Sequence, residues 1–104
     1  MIKVSILYPR GDGSHFDIEY YCSKHMPTVK EWFGDTCKGV AAEEAISSKN
    51  KVGQQPFHAI GHLYFDTLDQ FNQAFSENAE NIMKDVPNYT NVQPVIQIGE
   101  VKIA

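Results

Sequence analysis

Apolar and polar side chains alternate along Ile2-Lys3-Val4-Ser5-Ile6-Leu7-Tyr8, with Ile2, Val4, Ile6 and Tyr8 on one side of a period of two, which predicts a strand. Pro9 and Gly11-Asp12-Gly13 end it. Ser14-His15-Phe16-Asp17 then has the spacing of a capping box, with Asp in place of the commoner Glu, and predicts entry into a helix. Ile18, Tyr21, Cys22, His25, Met26, Val29, Trp32 and Phe33 follow at steps of three and four, one stripe of a helix that Gly34 closes. Pro27 lies inside this helix and crowds the carbonyl of Ser23, so a kink is expected beside His25.

Cys37 to Ser47 reads as a second strand, and the stretch from Ser48 to Pro56 has loop composition. Phe57 to Phe65 is a stronger strand signal, rich in aromatic and apolar residues, and Thr67-Leu68-Asp69-Gln70 directly after it is a T-x-x-Q capping box. Leu68, Phe71, Phe75, Ala79, Ile82 and Val86 keep helical spacing up to Pro87, with Asn78 and Asn81 as candidate points for a break into two short helices. Asn91 to Ile103 reads as a last strand containing Pro94, which belongs at a sheet edge or a bulge. The order β-α-β-β-α-β predicts an α+β fold in one domain, residues 1–104: a four-stranded antiparallel sheet with both helices on one face, the ferredoxin-like arrangement. The strand from Phe57 carries Phe57, Ala59, Gly61, Leu63 and Phe65 on one face and Ile60 and Tyr64 on the other. Both faces therefore need cover, and a second copy of the chain supplies it most simply, so a homodimer is expected.

Composition narrows the partners. Of 104 residues, 9 are Lys or Arg and 13 are Asp or Glu, a formal charge of −4. The basic residues never cluster beyond a pair, which argues against nucleic acid and against polybasic attachment to a membrane. No stretch approaches the roughly 20 apolar residues that cross a bilayer, and a cytoplasmic location is the expectation. Cys22 and Cys37 are too few and too far apart for a zinc knuckle or a redox CxxC pair and read as ordinary thiols.

Candidate chemistry centres on His25, near the middle of the helical stripe between Tyr21, Met26, Val29 and Trp32. An inward imidazole in an aromatic pocket has its charged form disfavoured and is suited to act as an acid, a base or a donor to an oxyanion near neutral pH, although a satisfied core histidine has the same pattern. Tyr20 and Tyr21 together ensure that one phenol faces inward, Tyr21 at the better angle. Tyr89, in the turn Asn88-Tyr89-Thr90-Asn91, is a candidate pocket wall. His58 and His62 lie about 13 Å apart on a strand, too far to share one ion, and share the face of Ile60 and Tyr64, where they would line a polar barrel interior. His15 reads as surface or cap. No metal site, Walker-type loop or GxGxxG turn is present, so no cofactor is expected.

Met1 to Pro9, the segment from Phe16 to Tyr21 running on through Lys24-His25-Met26-Pro27, and the late Pro87-Asn88-Tyr89-Thr90-Asn91 with Pro94 resemble the EthD family, named for ethyl tert-butyl ether degradation. The resemblance implies a dimeric α+β barrel and catabolism of small organic compounds. It implies membership of a superfamily of cofactor-free monooxygenases, lactone isomerases, polyketide-tailoring enzymes and haem-binding proteins, in which fold alone does not choose the reaction. His25 matches the motif histidine. The reading that follows is a cofactor-independent isomerase, cyclase or monooxygenase that uses His25 as acid/base on a small oxygenated substrate, held by Tyr20 or Tyr21 and walled by Trp32 and Tyr89. The alternatives are a non-catalytic dimer that binds a hydrophobic compound or a redox partner, and, less favoured, a haem protein with His25 as axial ligand.

Overall fold

A computed structural model describes residues 1–46 and 55–104. Strands β1 (Ile2–Pro9), β2 (Cys37–Glu44), β3 (Phe57–Phe65) and β4 (Val95–Glu100) form one antiparallel sheet in the order β2-β3-β1-β4. Helical segments α1 (Ile18–Tyr20), α2 (Met26–Phe33) and α3 (Leu68–Asp85) complete the β-α-β-β-α-β pattern. The ferredoxin-like fold expected from the sequence is therefore present. Ser47 falls outside the described residues, as does most of the loop that follows; the strand itself stops at Glu44.

The register explains the core. Val4 pairs with Leu63 on one side and Ile98 on the other, and Ile6 with Gly61 and Ile96, so one face of three strands is aligned under the helices. Along β3 the alternation holds from His58 onward: Ala59, Gly61, Leu63 and Phe65 are buried, while His58, Ile60, His62 and Tyr64 on the opposite face, and Phe57 at the strand's start, are only partly covered. Phe65 and Phe33 pack edge to face, as do Phe65 and Phe71, which ties α2 and α3 to the sheet. The last strand is shorter than expected and begins after Pro94, so the proline precedes the ladder rather than interrupting it. That strand is an edge, as a nearby proline favours.

The two helix starts differ in how locally their caps are set. Thr67 caps α3 with the full reciprocal box: its hydroxyl accepts from the Gln70 N–H, and the Gln70 side chain accepts from the Thr67 N–H. At the first helix the cap is Asp17, not Ser14. The Asp17 carboxylate accepts from the Tyr20 N–H, while Ser14 bonds to Gly11 and His58 in the preceding loop. Helix α3 runs unbroken through Asn78, whose side-chain amide donates to the Ala74 carbonyl and so leaves the helical ladder intact.

Between α1 and α2 the irregularity expected beside His25 takes the form of a π-helical turn, Tyr21–His25, in which the Met26 N–H reaches back five residues to the Tyr21 carbonyl. One extra residue in a turn rotates everything after it by about 100° relative to a continuous α-helix. Cys22 is consequently exposed and Trp32 is 38% exposed, although a regular helix would have put both on the buried stripe. Gly34 ends α2 at φ 65°, a left-handed conformation that a side chain would strain.

Candidate functional site

The site forms where the π turn, the C-terminal end of α3 and the segment after it meet over β1. A short clamp fixes the meeting point. Phe16 pairs with Thr90 as an isolated bridge, the Asp17 N–H donates to the Tyr89 carbonyl at 2.7 Å, and the Thr90 hydroxyl donates to the His15 carbonyl at 2.6 Å. Asn91 adds two more links, accepting from the His15 N–H and donating to the Gly13 carbonyl. A 3-10 turn, Val86–Asn88, carries the chain from α3 to Tyr89. This brings Tyr89, 64 residues distant in sequence, to His25.

His25 is buried and hydrogen-bonded at both ring nitrogens. Nδ1 lies 2.7 Å from Asp85 Oδ2, and Nε2 lies 3.3 Å from the Tyr89 hydroxyl. The Tyr89 hydroxyl is in turn 2.8 Å from that of Tyr8. Behind the histidine, Asp85 Oδ1 accepts from the Tyr20 hydroxyl at 2.6 Å and from Asn88 Nδ2 at 3.0 Å. The result is a continuous array, Tyr8, Tyr89, His25, Asp85, Tyr20, that begins in the core and ends near the surface.

Burial disfavours the imidazolium and lowers the His25 pKa below its usual value, with the Asp85 carboxylate opposing that shift. For Asp85, burial pushes upward but the hydrogen bonds from Tyr20, Asn88 and His25 outweigh it and hold the carboxyl below the ordinary range. Burial raises Tyr8 and Tyr89, so both phenols remain protonated.

His25, Tyr8 and Tyr89 line a cavity of about 60 Å³ between helices and sheet, whose remaining walls are apolar, including Val4, Val29, Leu63, Phe71 and Phe75. Met83 and Ile96, each about half exposed, stand at its outer side. The space is small beside the roughly 300–1,000 Å³ of drug-sized pockets. An axial haem ligand does not fit this arrangement, because both nitrogens of His25 are engaged and the space beside them is far smaller than a porphyrin. Among the described residues no group of three or more His, Cys, Asp or Glu is placed to hold a metal ion.

Of the residues singled out in the sequence, the structure brings His25, Tyr20, Tyr21 and Tyr89 together and leaves Trp32 apart. Trp32 borders a shallow groove with Gln70, Gln73 and Glu77 and does not reach the His25 cavity. Tyr21 is fully buried and stacks on His25 at 5.5 Å, but its hydroxyl points at Gly61 and has no hydrogen-bond partner among the described residues. Tyr20 turns outward to Asp85 rather than into the cavity. Asp85 and Tyr8 are site residues that sequence patterns did not reveal. His58 and His62 stay separate: His58 contacts Ser14, and His62 contacts Ser5 and Glu43.

Comparison with known proteins agrees with the quoted motifs. Residues 15–93 match the EthD domain family. The chain belongs to the EthD family. It is 34% identical over 94 residues to an uncharacterised 11.0 kDa protein of the thcB–thcC intergenic region of Rhodococcus erythropolis, covering 88% of this chain and 85% of that one. The crystal structure of an EthD-like protein from Ralstonia eutropha JMP134 superposes with a TM-score of 0.91 at 34% identity, over 98% of this chain and 92% of the other. A more distant likeness, of fold alone, is to a dimeric ferredoxin-like protein of unknown function from Bacteroides fragilis, with a TM-score of 0.55, 11% identity and coverage of 96% and 95%. No helix among the described residues is long and apolar enough to cross a membrane.

Proposed function

We propose that this EthD-family protein is a cofactor-independent enzyme of small organic compound catabolism, of isomerase, cyclase or monooxygenase type. Its acid/base is His25, acting on a compact, neutral, oxygenated molecule in the cavity between helices and sheet. The observation that carries the reading is the Asp85–His25 pair, a base backed by a carboxylate, set at the one polar end of an otherwise apolar cavity. Tyr89 and Tyr8, rather than Tyr20 and Tyr21, are the hydroxyls that line that cavity, and they take the role of holding the substrate oxygen. A substrate oxygen set against the Tyr89 hydroxyl would be linked to His25 through the 3.3 Å contact between Tyr89 and Nε2.

We take the working assembly to be a homodimer. Ile60 and Tyr64 on the outer sheet face are only partly covered within one chain, Val95, across Leu7 from Ile60 on the same face, is 54% exposed, and a second sheet would cover all three. The dimeric neighbour of the same fold supports this assembly.

Deuterium exchange at the α-carbons of small cyclic ketones in D2O, followed by proton NMR, tests the acid/base role without knowledge of the natural substrate. The wild-type protein should catalyse exchange, and His25→Asn should lower it by on the order of 100-fold or more while native mass spectrometry still shows the dimer. Equal exchange in His25→Asn would remove His25 from the mechanism. Saturable binding of the ketones without exchange would favour the second reading, a binding protein, for which the engagement of both His25 nitrogens in the free structure already speaks.

A further inference from the structure

The side chain that decides what His25 can do lies on another element and carries two further hydrogen bonds. We infer that Asp85 is a positioning residue that fixes the Nδ1–H tautomer of His25 and thereby sets the direction of the whole Tyr8–Tyr89–His25 array. This deepens the acid/base reading above and rests on it for its catalytic meaning, though not for its geometry. A carboxylate only accepts, so the 2.7 Å contact with Asp85 Oδ2 requires the proton on Nδ1. Nε2 is then an acceptor and must receive the Tyr89 hydroxyl proton, which leaves the Tyr89 oxygen to accept from Tyr8. The hydroxyls therefore point in sequence toward the imidazole.

This polarity makes Tyr89 a carrier for protons reaching His25. As a ligand hydroxyl gives its proton to the Tyr89 oxygen, Tyr89 passes its own phenolic proton to Nε2. The products are a ligand oxyanion, an unchanged neutral Tyr89 and an imidazolium whose Nδ1–H remains on Asp85. Charge and protons balance, and the reverse transfer restores the start. The Tyr21 hydroxyl, with its ring 5.4 Å from that of Tyr8, makes no hydrogen bond among the described residues and so leaves the array as drawn.

The two other bonds to Asp85 make the inference testable. Both the Tyr20 hydroxyl and Asn88 Nδ2 donate to Oδ1. In Asp85→Asn the side-chain carbonyl must therefore take the Oδ1 place, and the amide NH2 must face His25 Nδ1. Nδ1 then becomes the acceptor, the proton moves to Nε2, and the array reverses. Long-range proton–nitrogen correlation NMR of 15N-histidine-labelled full-length protein near pH 7.5 distinguishes the tautomers directly. Wild type should show the Nδ1–H form, Tyr89→Phe should keep it, and Asp85→Asn should convert it to the Nε2–H form. A predominant Nε2–H signal in wild type, or an unchanged tautomer in folded Asp85→Asn, would overturn the inference. Should Asp85→Asn fail to fold, the wild-type spectrum alone still decides. If ketone exchange is absent while the tautomers behave as stated, the acid/base reading fails and the positioning role stands.

Discussion

Gly61 and Tyr21 should be energetically coupled in a way that single substitutions cannot show. A Cβ placed on Gly61 would overlap the Tyr21 hydroxyl oxygen, stand 3.1 Å from Cζ and lie 3.5 Å from the Met26 methyl. Tyr21 has no room to swing aside, since its ring is fully buried against Tyr8, Phe16, His25 and Tyr89. Overfilling such a site costs about 1–3 kcal/mol or more, offset by up to about 1 kcal/mol from replacing glycine within a strand. Gly61→Ala should therefore lose about 2 kcal/mol, roughly 10 °C in Tm for a domain of this size. Tyr21→Phe removes a buried hydroxyl that has no partner among the described residues, and an orphaned group costs about 1–3 kcal/mol, so this variant should be as stable as wild type or slightly more so. In that background the nearest atom to the new Cβ is Cζ, a tight contact that a few tenths of an ångström relieve, and Gly61→Ala should cost less than about 1 kcal/mol. Urea unfolding of the four proteins at one fixed concentration, followed by circular dichroism, gives the cycle. Equal losses from Gly61→Ala in both backgrounds, or a loss above about 1.5 kcal/mol in Tyr21→Phe alone, would refute the argument.

Thr67→Ala removes the acceptor for the Gln70 N–H and half of the reciprocal box, and should lower stability by about 1 kcal/mol in the same assay without moving the NMR signals of His25. His25 should titrate below 6.5 by NMR, because burial disfavours its charged form more than Asp85 favours it. Its contribution to stability is then complete above the unfolded value and declines as pH falls from about 6.5 through the folded pKa, since the unfolded chain binds the proton first. His58 is shifted in the same direction by burial and nearby positive charge, so the slope should be measured in a His58→Gln background; a His25 pKa at or above 6.5 would contradict the account. The Asp85 contribution is present above the ordinary carboxyl value and is lost only as pH falls through its lower folded pKa, which places it in a separate, more acidic window.

The parts of the fold that local pattern controls were legible in the chain. The alternation along β3 and the Thr67 box are read by backbone geometry within a few residues; the box appears in full and the alternation from His58 to Phe65. The first helix was legible only in part. Its apolar steps placed Tyr21, His25, Met26, Val29 and Phe33 inward, and these are buried. Counting at 100° per residue cannot register a π turn, and so it kept Cys22 and Trp32 on the stripe although the extra residue rotates them away. Asp17 and Ser14 are both good caps by type, and the choice was made by distant contacts: His58 and Gly11 hold Ser14 in the loop, while Tyr89 accepts the Asp17 backbone N–H. Asp85 lies 60 residues from His25 and is one of many acidic residues on α3, with no local signal to set it apart. Its position just before Pro87-Asn88-Tyr89 was the nearest thing to one, because the turn that ends α3 must carry both Asp85 and Tyr89 to the same point.

The distribution of charge around the cavity limits the chemistry more than its size does. Burial keeps His25 toward the neutral form and Tyr8 and Tyr89 protonated, and the walls beyond them are apolar. No Lys or Arg is among the lining residues. A ligand carboxylate or phosphate would therefore enter without a cation and forfeit its hydration, a cost of several kcal/mol that apolar contact does not recover. A neutral ligand meets no such barrier, and in the proposed proton transfer the charge that forms on it would be created beside groups already aligned to meet it. In the proposed relay the Tyr89 hydroxyl, held by Tyr8, faces the developing oxyanion, and Asp85, ionised in advance by Tyr20 and Asn88, faces the developing imidazolium. The positive charge thus forms between a carboxylate and an oxyanion. Removing the negative charge at Asp85 should accordingly impair proton transfer more than it impairs binding of a neutral ligand.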